Sequence, residues 1–195
     1  MIKYLSQWAV LAVSVLWSLS AAAHTGVGTV HGFVAGLMHP MMGLDHLFAM
    51  LAVGLWAVYL GGRAMPGLPL AFIGLMSVGA KLGFSGYVLP HAELGVTWSV
   101  VVFGVALWRG WSIPTLLAGA MTASFAVFHG YVHAAEAGQM TDSTAAYLYG
   151  FLAATALLHG VGVGLGCWMR SAVWCRQAFG LVCTGTGLYW LVTGV

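Results

Sequence analysis

Apolar segments of about twenty residues recur along nearly the whole chain, and this recurrence constrains the fold more than any other feature. Hydrophobic residues make up 61% of the sequence and charged residues 5%, against about 25% charged in a soluble domain. The sequence therefore predicts an all-α fold, a polytopic membrane helix bundle of about six transmembrane helices in a single domain. The predicted spans lie near residues 41–60, 68–88, 94–109, 112–134, 144–168 and 176–194.

The N-terminus has the layout of a cleavable signal peptide over residues 1–23. Lys3 supplies a short basic region, an apolar run follows from Trp8 to Leu19, and the three alanines 21–23 fit the small-residue cleavage rule. Cleavage would leave His24 as the first residue of a mature domain over 24–195, outside the cytoplasm. An uncleaved first helix is the alternative.

The segment 27–38 is apolar but too short to span a membrane, and Pro40 follows it closely. Proline removes a backbone donor and restricts the residue before it. An interrupted helix is tolerated at membrane depth where protein or a hydrated cavity surrounds it. We therefore expect a half-helix or re-entrant lead-in over 27–38, ahead of the first span.

The distribution of basic residues predicts the orientation. An outside start places four of the six Lys and Arg residues in cytoplasmic connections, in agreement with the positive-inside rule. These four are Arg63, Arg109, Arg170 and Arg176. Glu93, Glu136 and Asp142 then lie on the outer side, and Lys81 is the exception. The sequence has no cluster of basic residues of the kind that binds nucleic acid. It also lacks the paired cysteine spacing of a structural zinc site, since its cysteines are Cys167, Cys175 and Cys183.

Two histidines and an aspartate lie within eight residues at the start of the first span. Ionisable residues inside a membrane are costly and usually mark a pathway, and imidazole and carboxylate are ligands that transition metals accept. On an ideal helix His39 and His46 share a face about 10 Å apart, with Met42 between them, whereas Asp45 points about 100° away. Asp45 joins them only if the helix is distorted; otherwise it acts as an acceptor that fixes an imidazole tautomer. Interhelical hydrogen bonds without metal are the alternative.

A second polar cluster lies in the fourth predicted span. His129, His133 and Glu136 are spaced i, i+4 and i+7, so they share one helix face and offer two nitrogens and an oxygen to one ion. The alternative is a polar helix end wetted by the interface. Because both motifs face outward in this topology, we expect them to meet near the outer mouth of one cavity. His159, deeper in the fifth span, is either a later pathway residue or a structural hydrogen-bonding group, and His24 is a further candidate for ion capture.

The segment from His39 to His46, followed by Ala49–Met50 and Gly54–Leu55–Trp56, resembles the signature of the HupE/UreJ family. The resemblance extends to Phe128–His129–Gly130, His133 and Glu136, although Ala134 stands where the family often has glycine. It implies a bacterial inner-membrane permease for nickel or cobalt, associated with hydrogenase and urease systems. The implied metal pathway residues are His39, Asp45, His46, His129, His133 and Glu136.

The resemblance implies a transporter rather than an enzyme. Its expected partners are the lipid bilayer and a transported Ni²⁺ or Co²⁺, with no permanently bound cofactor and no nucleic acid. A homo-oligomer and contacts with metalloenzyme maturation proteins are compatible with it. The alternatives are an intramembrane metal-dependent hydrolase and a non-transporting metal-binding accessory protein. The hydrolase is disfavoured because the sequence has no His-Glu-x-x-His motif.

Overall fold

The computed structural model describes residues 32–137 and 143–194, which form seven α-helices and no strand. The predicted signal peptide, His24 and Asp142 lie outside the described residues. The helices are α1 (Gly32–Met42), α2 (Leu44–Leu60), α3 (Ala64–Phe84), α4 (Ala92–Arg109), α5 (Thr115–Ala137), α6 (Thr144–Trp168) and α7 (Val173–Thr193).

Four helices, α3 to α6, are long and apolar enough to cross a membrane, and α1 with α2 makes a fifth span if the pair is counted as one. The chain is therefore a multi-pass membrane protein with four to five candidate spans in the described residues. Helix α7 covers the sixth predicted span but is not among these candidates, and Arg176 and Gln177 lie in its first turns. The count of six spans stays a prediction.

The lead-in and the first span form one broken helix pair, bent by 79°. Gly43 separates α1 from α2 and has an extended backbone, with φ −87° and ψ 116°. Pro40 lies inside α1, one turn before the break. Because an extended residue cannot continue a helix, α2 starts afresh at Leu44 in a new direction. The break places His39 and His46 on separate helices.

Helix α2 is the central element of the bundle. It contacts α1, α3, α4 and α6, and every residue from Ala52 to Val58 is buried. A helix that is apolar all round belongs in the interior of a bundle. The buried side chains of the other helices, such as Phe72 of α3 and Phe103 of α4, pack around it in one continuous core.

Glycines allow four helix pairs to touch backbone to backbone. A β-carbon added at any of these glycines would overlap backbone atoms of the facing helix. The contacts are paired: Gly36 and Gly150 join α1 to α6, Gly79 and Gly130 join α3 to α5, Gly54 and Gly162 join α2 to α6, and Gly104 and Gly180 join α4 to α7. Small residues at such positions let helices associate closely in lipid. The close approach of α5 and α6 to their partners brings their polar side chains toward the centre.

One end of the bundle carries the arginines, and we call it the arginine end. The Arg176 guanidinium donates to the Leu107 carbonyl and lies 4.4 Å from the centroid of the Tyr59 ring, whose hydroxyl donates to Gly110. These contacts join the last turns of α2 and α4 to the first turn of α7. Arg63, Arg109 and Arg170 lie in the adjoining helix ends and connections. Because α5 starts at this end, Glu136 in its last turn lies at the opposite end.

Gly162→Ala tests the close packing of α2 against α6. The added methyl group would lie 2.6 Å from the Leu51 carbonyl oxygen, and overpacking of this kind costs about 1–3 kcal/mol. We expect a lower thermal unfolding temperature for the purified protein in detergent. Gly160→Ala is the matched control, because no described atom lies within 4 Å of the added methyl group. Equal unfolding temperatures for the two variants would contradict the packing.

Candidate metal centre

Four histidines and one glutamate from three helices lie together at the end of the bundle opposite the arginines. They form two overlapping groups, in each of which the ligand atoms lie within 4.8 Å of one another. We call His39, His133 and Glu136 the half-exposed group, and His46, His129 and His133 the buried group. His133 belongs to both. The structure thus brings together five of the six residues that the sequence predicts as metal ligands.

The half-exposed group is compact. The Nε2 atom of His39 lies 2.9 Å from Nδ1 of His133 and 3.4 Å from Oε2 of Glu136, and the last two atoms are 3.3 Å apart. Exposure falls from 50% for the Glu136 side chain to 32% for His39 and 6% for His133. The carboxylate therefore lies at the wetter side of the group, where a hydrated cation would first meet a negative charge.

The buried group is held by two hydroxyl groups. Nε2 of His129 lies 2.8 Å from the Ser99 hydroxyl, and Nε2 of His46 lies 3.3 Å from the Thr155 hydroxyl. Each hydroxyl donates its own hydrogen to a backbone carbonyl in its own helix, Ser99 to Val96 and Thr155 to Phe151. A hydroxyl has one hydrogen to donate, so a hydroxyl that gives it to the carbonyl accepts from its histidine. In that arrangement both imidazoles carry their proton on Nε2.

This tautomer assignment leaves the Nδ1 lone pairs of His46 and His129 free, and these two nitrogens face each other at 3.3 Å. Between two lone pairs there is no hydrogen to make a bond, so they repel unless a proton or a cation lies between them. His133 is the third histidine of the buried group, and its buried Nε2 has no hydrogen-bond partner among the described residues. Three imidazoles thus present ring nitrogens to one buried space, within 4.8 Å of one another.

Aromatic rings enclose the histidines. The Phe151 ring contacts those of His39, His46 and His133, with centroids 6.2, 5.1 and 5.6 Å apart, and Phe72 lies 5.4 Å from His129. His46 and His129 have no exposed surface. Apolar walls lower the local dielectric and strengthen every electrostatic interaction in the site.

Asp45 belongs to neither group. Its Oδ1 accepts a hydrogen bond from the His46 backbone N–H at 2.7 Å, in the first turn of α2. The free N–H groups at a helix start carry a partial positive charge, which would oppose a cation beside His46. The carboxylate offsets that charge. Asp45 is therefore not a direct ligand in this conformation, and its carboxylate lies at the helix start beside His46.

Two further predicted pathway residues, Met42 and His159, lie apart from both groups. Met42 is 62% exposed at the end of α1. His159 is 1% exposed on α6 and contacts Phe72, but it is in neither group. Ser99 and Thr155 were not predicted from the sequence, because a single hydroxyl in an apolar helix has no spacing that distinguishes it from a packing residue. What identifies these two residues is their burial, which only the fold shows.

Comparisons with known proteins agree with the sequence resemblance. A family model described as HupE / UreJ protein matches residues 11–190. The curated protein named Protein HupE, from Rhizobium leguminosarum bv. viciae, is 43% identical over 149 residues, which cover 76% of this chain and 78% of the relative. No solved structure matches.

Ser99→Ala tests the role of the hydroxyl that holds His129. Removal of a group that orients a metal-bound histidine typically costs about 10–100-fold in metal affinity. We expect this loss for Ni²⁺ in equilibrium dialysis, without a change of fold. Ser124→Ala is the control, since its hydroxyl is exposed and bonds only within α5 among the contacts described. Equal affinities for the two variants would count against the tautomer assignment.

Proposed function

The chain belongs to the HupE/UreJ family, and on that premise we propose that it is a secondary transporter that carries nickel ions inward across the bacterial inner membrane. We include cobalt as a second substrate, because the type of ligand alone does not distinguish metals that are adjacent in the order of divalent-metal affinities. The imported ion would supply the maturation of a metalloenzyme such as a hydrogenase or a urease, as the family resemblance implies.

The main support for the proposal is that the Nδ1 atoms of His46 and His129 face each other at 3.3 Å, while the Nε2 atom of each ring lies beside a hydroxyl group. A cluster of structural histidines would be expected to pair a donor with an acceptor, since an unsatisfied buried polar group costs about 1–3 kcal/mol. With each hydroxyl accepting from its histidine, the two lone pairs meet instead. A divalent cation is the partner that makes this arrangement favourable.

The graded exposure of the two groups supports a direction of movement. Under the positive-inside rule the arginine end faces the cytoplasm, so the half-exposed group faces the periplasm. Inward movement of a divalent cation is then favoured by the membrane potential, by about 4–5 kcal/mol at 100 mV. The sequence has no phosphate-binding loop for a nucleotide. The potential and the ion gradient are therefore the energy sources of the proposal.

His133 supports transfer between the groups rather than storage. Its Nδ1 faces His39 and Glu136, whereas its Nε2 is buried and without a hydrogen-bond partner in the described part of the chain. A neutral imidazole has one lone pair, so it binds metal through one nitrogen at a time and carries its proton on the other. An ion that passes from the half-exposed to the buried group would exchange one His133 nitrogen for the other.

The charge distribution also suits transport. A carboxylate is present in the half-exposed group and absent from the buried group, which offers three imidazoles. Conduction requires sites that bind well enough for the ion to enter and weakly enough for it to leave. A site with an anionic ligand at the surface and neutral ligands at depth attracts the ion without trapping it.

Ni²⁺ flux into proteoliposomes tests the proposed function. We expect wild-type chain to load the vesicles and His39→Ala and His46→Ala each to reduce flux at least about tenfold, because a direct ligand should matter at least as much as an orienting group. The control is His91→Asn, an exposed histidine at the same end whose positive φ of 58° asparagine tolerates. Metal binding without flux in the wild type would instead indicate an accessory protein. Metal-dependent hydrolysis without flux would indicate a hydrolase.

Asp45→Asn tests the electrostatic role of the carboxylate at the start of α2. The amide oxygen can still accept from the His46 N–H, so the helix start is kept while the charge is lost. A charge at a partly buried helix end is worth about 1–2 kcal/mol, which predicts roughly fivefold to thirtyfold weaker Ni²⁺ binding. Unfolding temperature should change little, in contrast to Asp45→Ala. An unchanged Ni²⁺ affinity in Asp45→Asn would show that the charge of the Asp45 carboxylate does not contribute to ion binding.

A further inference from the structure

His159 is a buried histidine that the two groups do not use. It is 1% exposed, and neither ring nitrogen has a hydrogen-bond partner among the described residues. The Thr155 carbonyl, one turn earlier on α6, approaches the ring without the geometry of a hydrogen bond. Buried polar side chains are nearly always satisfied, and exceptions call for an explanation. Among the described residues, no hydrogen bond of full geometry holds this imidazole.

The position of His159 continues the line of the metal groups. Along α6, residues one turn apart meet them in order: Tyr147 contacts His39, Phe151 contacts His39 and His46, and the Thr155 hydroxyl meets His46. His159 is the next residue in this series, about 6 Å further toward the arginine end. It follows directly on the inner side of the buried group.

Phe72 lies between the buried group and His159. Its ring centroid is 5.4 Å from that of His129 and 5.2 Å from that of His159. His46 and His129 are both within electrostatic range of His159. The Phe72 ring thus contacts both an imidazole of the buried group and the next imidazole along α6.

A second unsatisfied polar group lies on the same side of the buried group. The Thr122 hydroxyl oxygen is buried and without a hydrogen-bond partner in the described part of the chain. Thr122 precedes His129 by seven residues on α5, so it lies about 10 Å nearer the arginine end. Polar side chains without hydrogen-bond partners in the described part of the chain therefore continue toward the arginine end on two helices, α5 and α6.

We propose that His159 is a further metal ligand, which receives the divalent cation from the buried group on the inner side of Phe72. The inference rests on the proposed transport function and extends it toward the arginine end. Its imidazole offers a nitrogen lone pair, and water or backbone carbonyls complete the coordination. A site with one protein imidazole binds weakly, which favours release of the ion.

A thiol at position 159 tests the contact directly. Co²⁺ bound to a thiolate gives a charge-transfer band in the near ultraviolet, and thiolate is a strong ligand for such ions. In full-length protein we expect the band on addition of Co²⁺ to His159→Cys, and no band in wild type, which retains Cys167, Cys175 and Cys183. Leu158→Cys is the matched control, because its thiol is buried on the same helix turn but points about 100° away.

No band in His159→Cys beyond that of Leu158→Cys would overturn the proposal. So would a His159→Cys chain that no longer binds Co²⁺ at the two groups, because His159 would then support the fold rather than bind the ion. In proteoliposomes we expect His159→Leu to lower Ni²⁺ flux at least about tenfold while equilibrium binding stays within twofold of wild type. Wild-type flux in His159→Leu would contradict the proposal and leave the transport function intact, whereas no flux in wild type would remove transport itself.

Discussion

The arrangement depends on two hydroxyl groups that each lie within hydrogen-bond distance of a backbone carbonyl and of an imidazole. When Ser99 and Thr155 donate to those carbonyls, they accept from His129 and His46, whose Nδ1 lone pairs are then directed at each other in an apolar interior. Both imidazoles lie without exposed surface, and a cation between them would relieve the repulsion. The proposed function assigns that place to the transported ion.

The fold serves this arrangement through a broken helix and close backbone contacts. The 79° bend at Gly43 turns α1 away from α2, so that His39 reaches the half-exposed group while His46 enters the buried one. Glycine pairs bring α5 against α3 and α6 against α1 and α2, which sets the histidines of α5 and Thr155 of α6 at the required distance. A side chain larger than glycine at these contacts would overlap the facing backbone and push the helices apart.

Much of this could be predicted from the sequence, and the part that could not has a physical reason. Apolar runs predict the helices, and the polar residues within them predict His39, His46, His129, His133 and Glu136, since buried ionisable groups are costly in any fold. The direction of Asp45 depends on where α2 begins, which the extended Gly43 decides. The positions of the Ser99 and Thr155 hydroxyls beside the histidines depend on which helices pack together. Gly162 turns toward α2, whereas no described atom lies within 4 Å of a methyl group placed at Gly160. Periodicity alone does not distinguish those two faces.

The most direct measurement is X-ray absorption at the nickel edge of purified, Ni²⁺-loaded protein, compared between wild type and His133→Ala. We expect two or more imidazole nitrogens bound to nickel in wild type and fewer in the variant, because His133 belongs to both groups. A nickel spectrum of oxygen ligands without imidazole in wild type, or an identical imidazole count in His133→Ala, would contradict it.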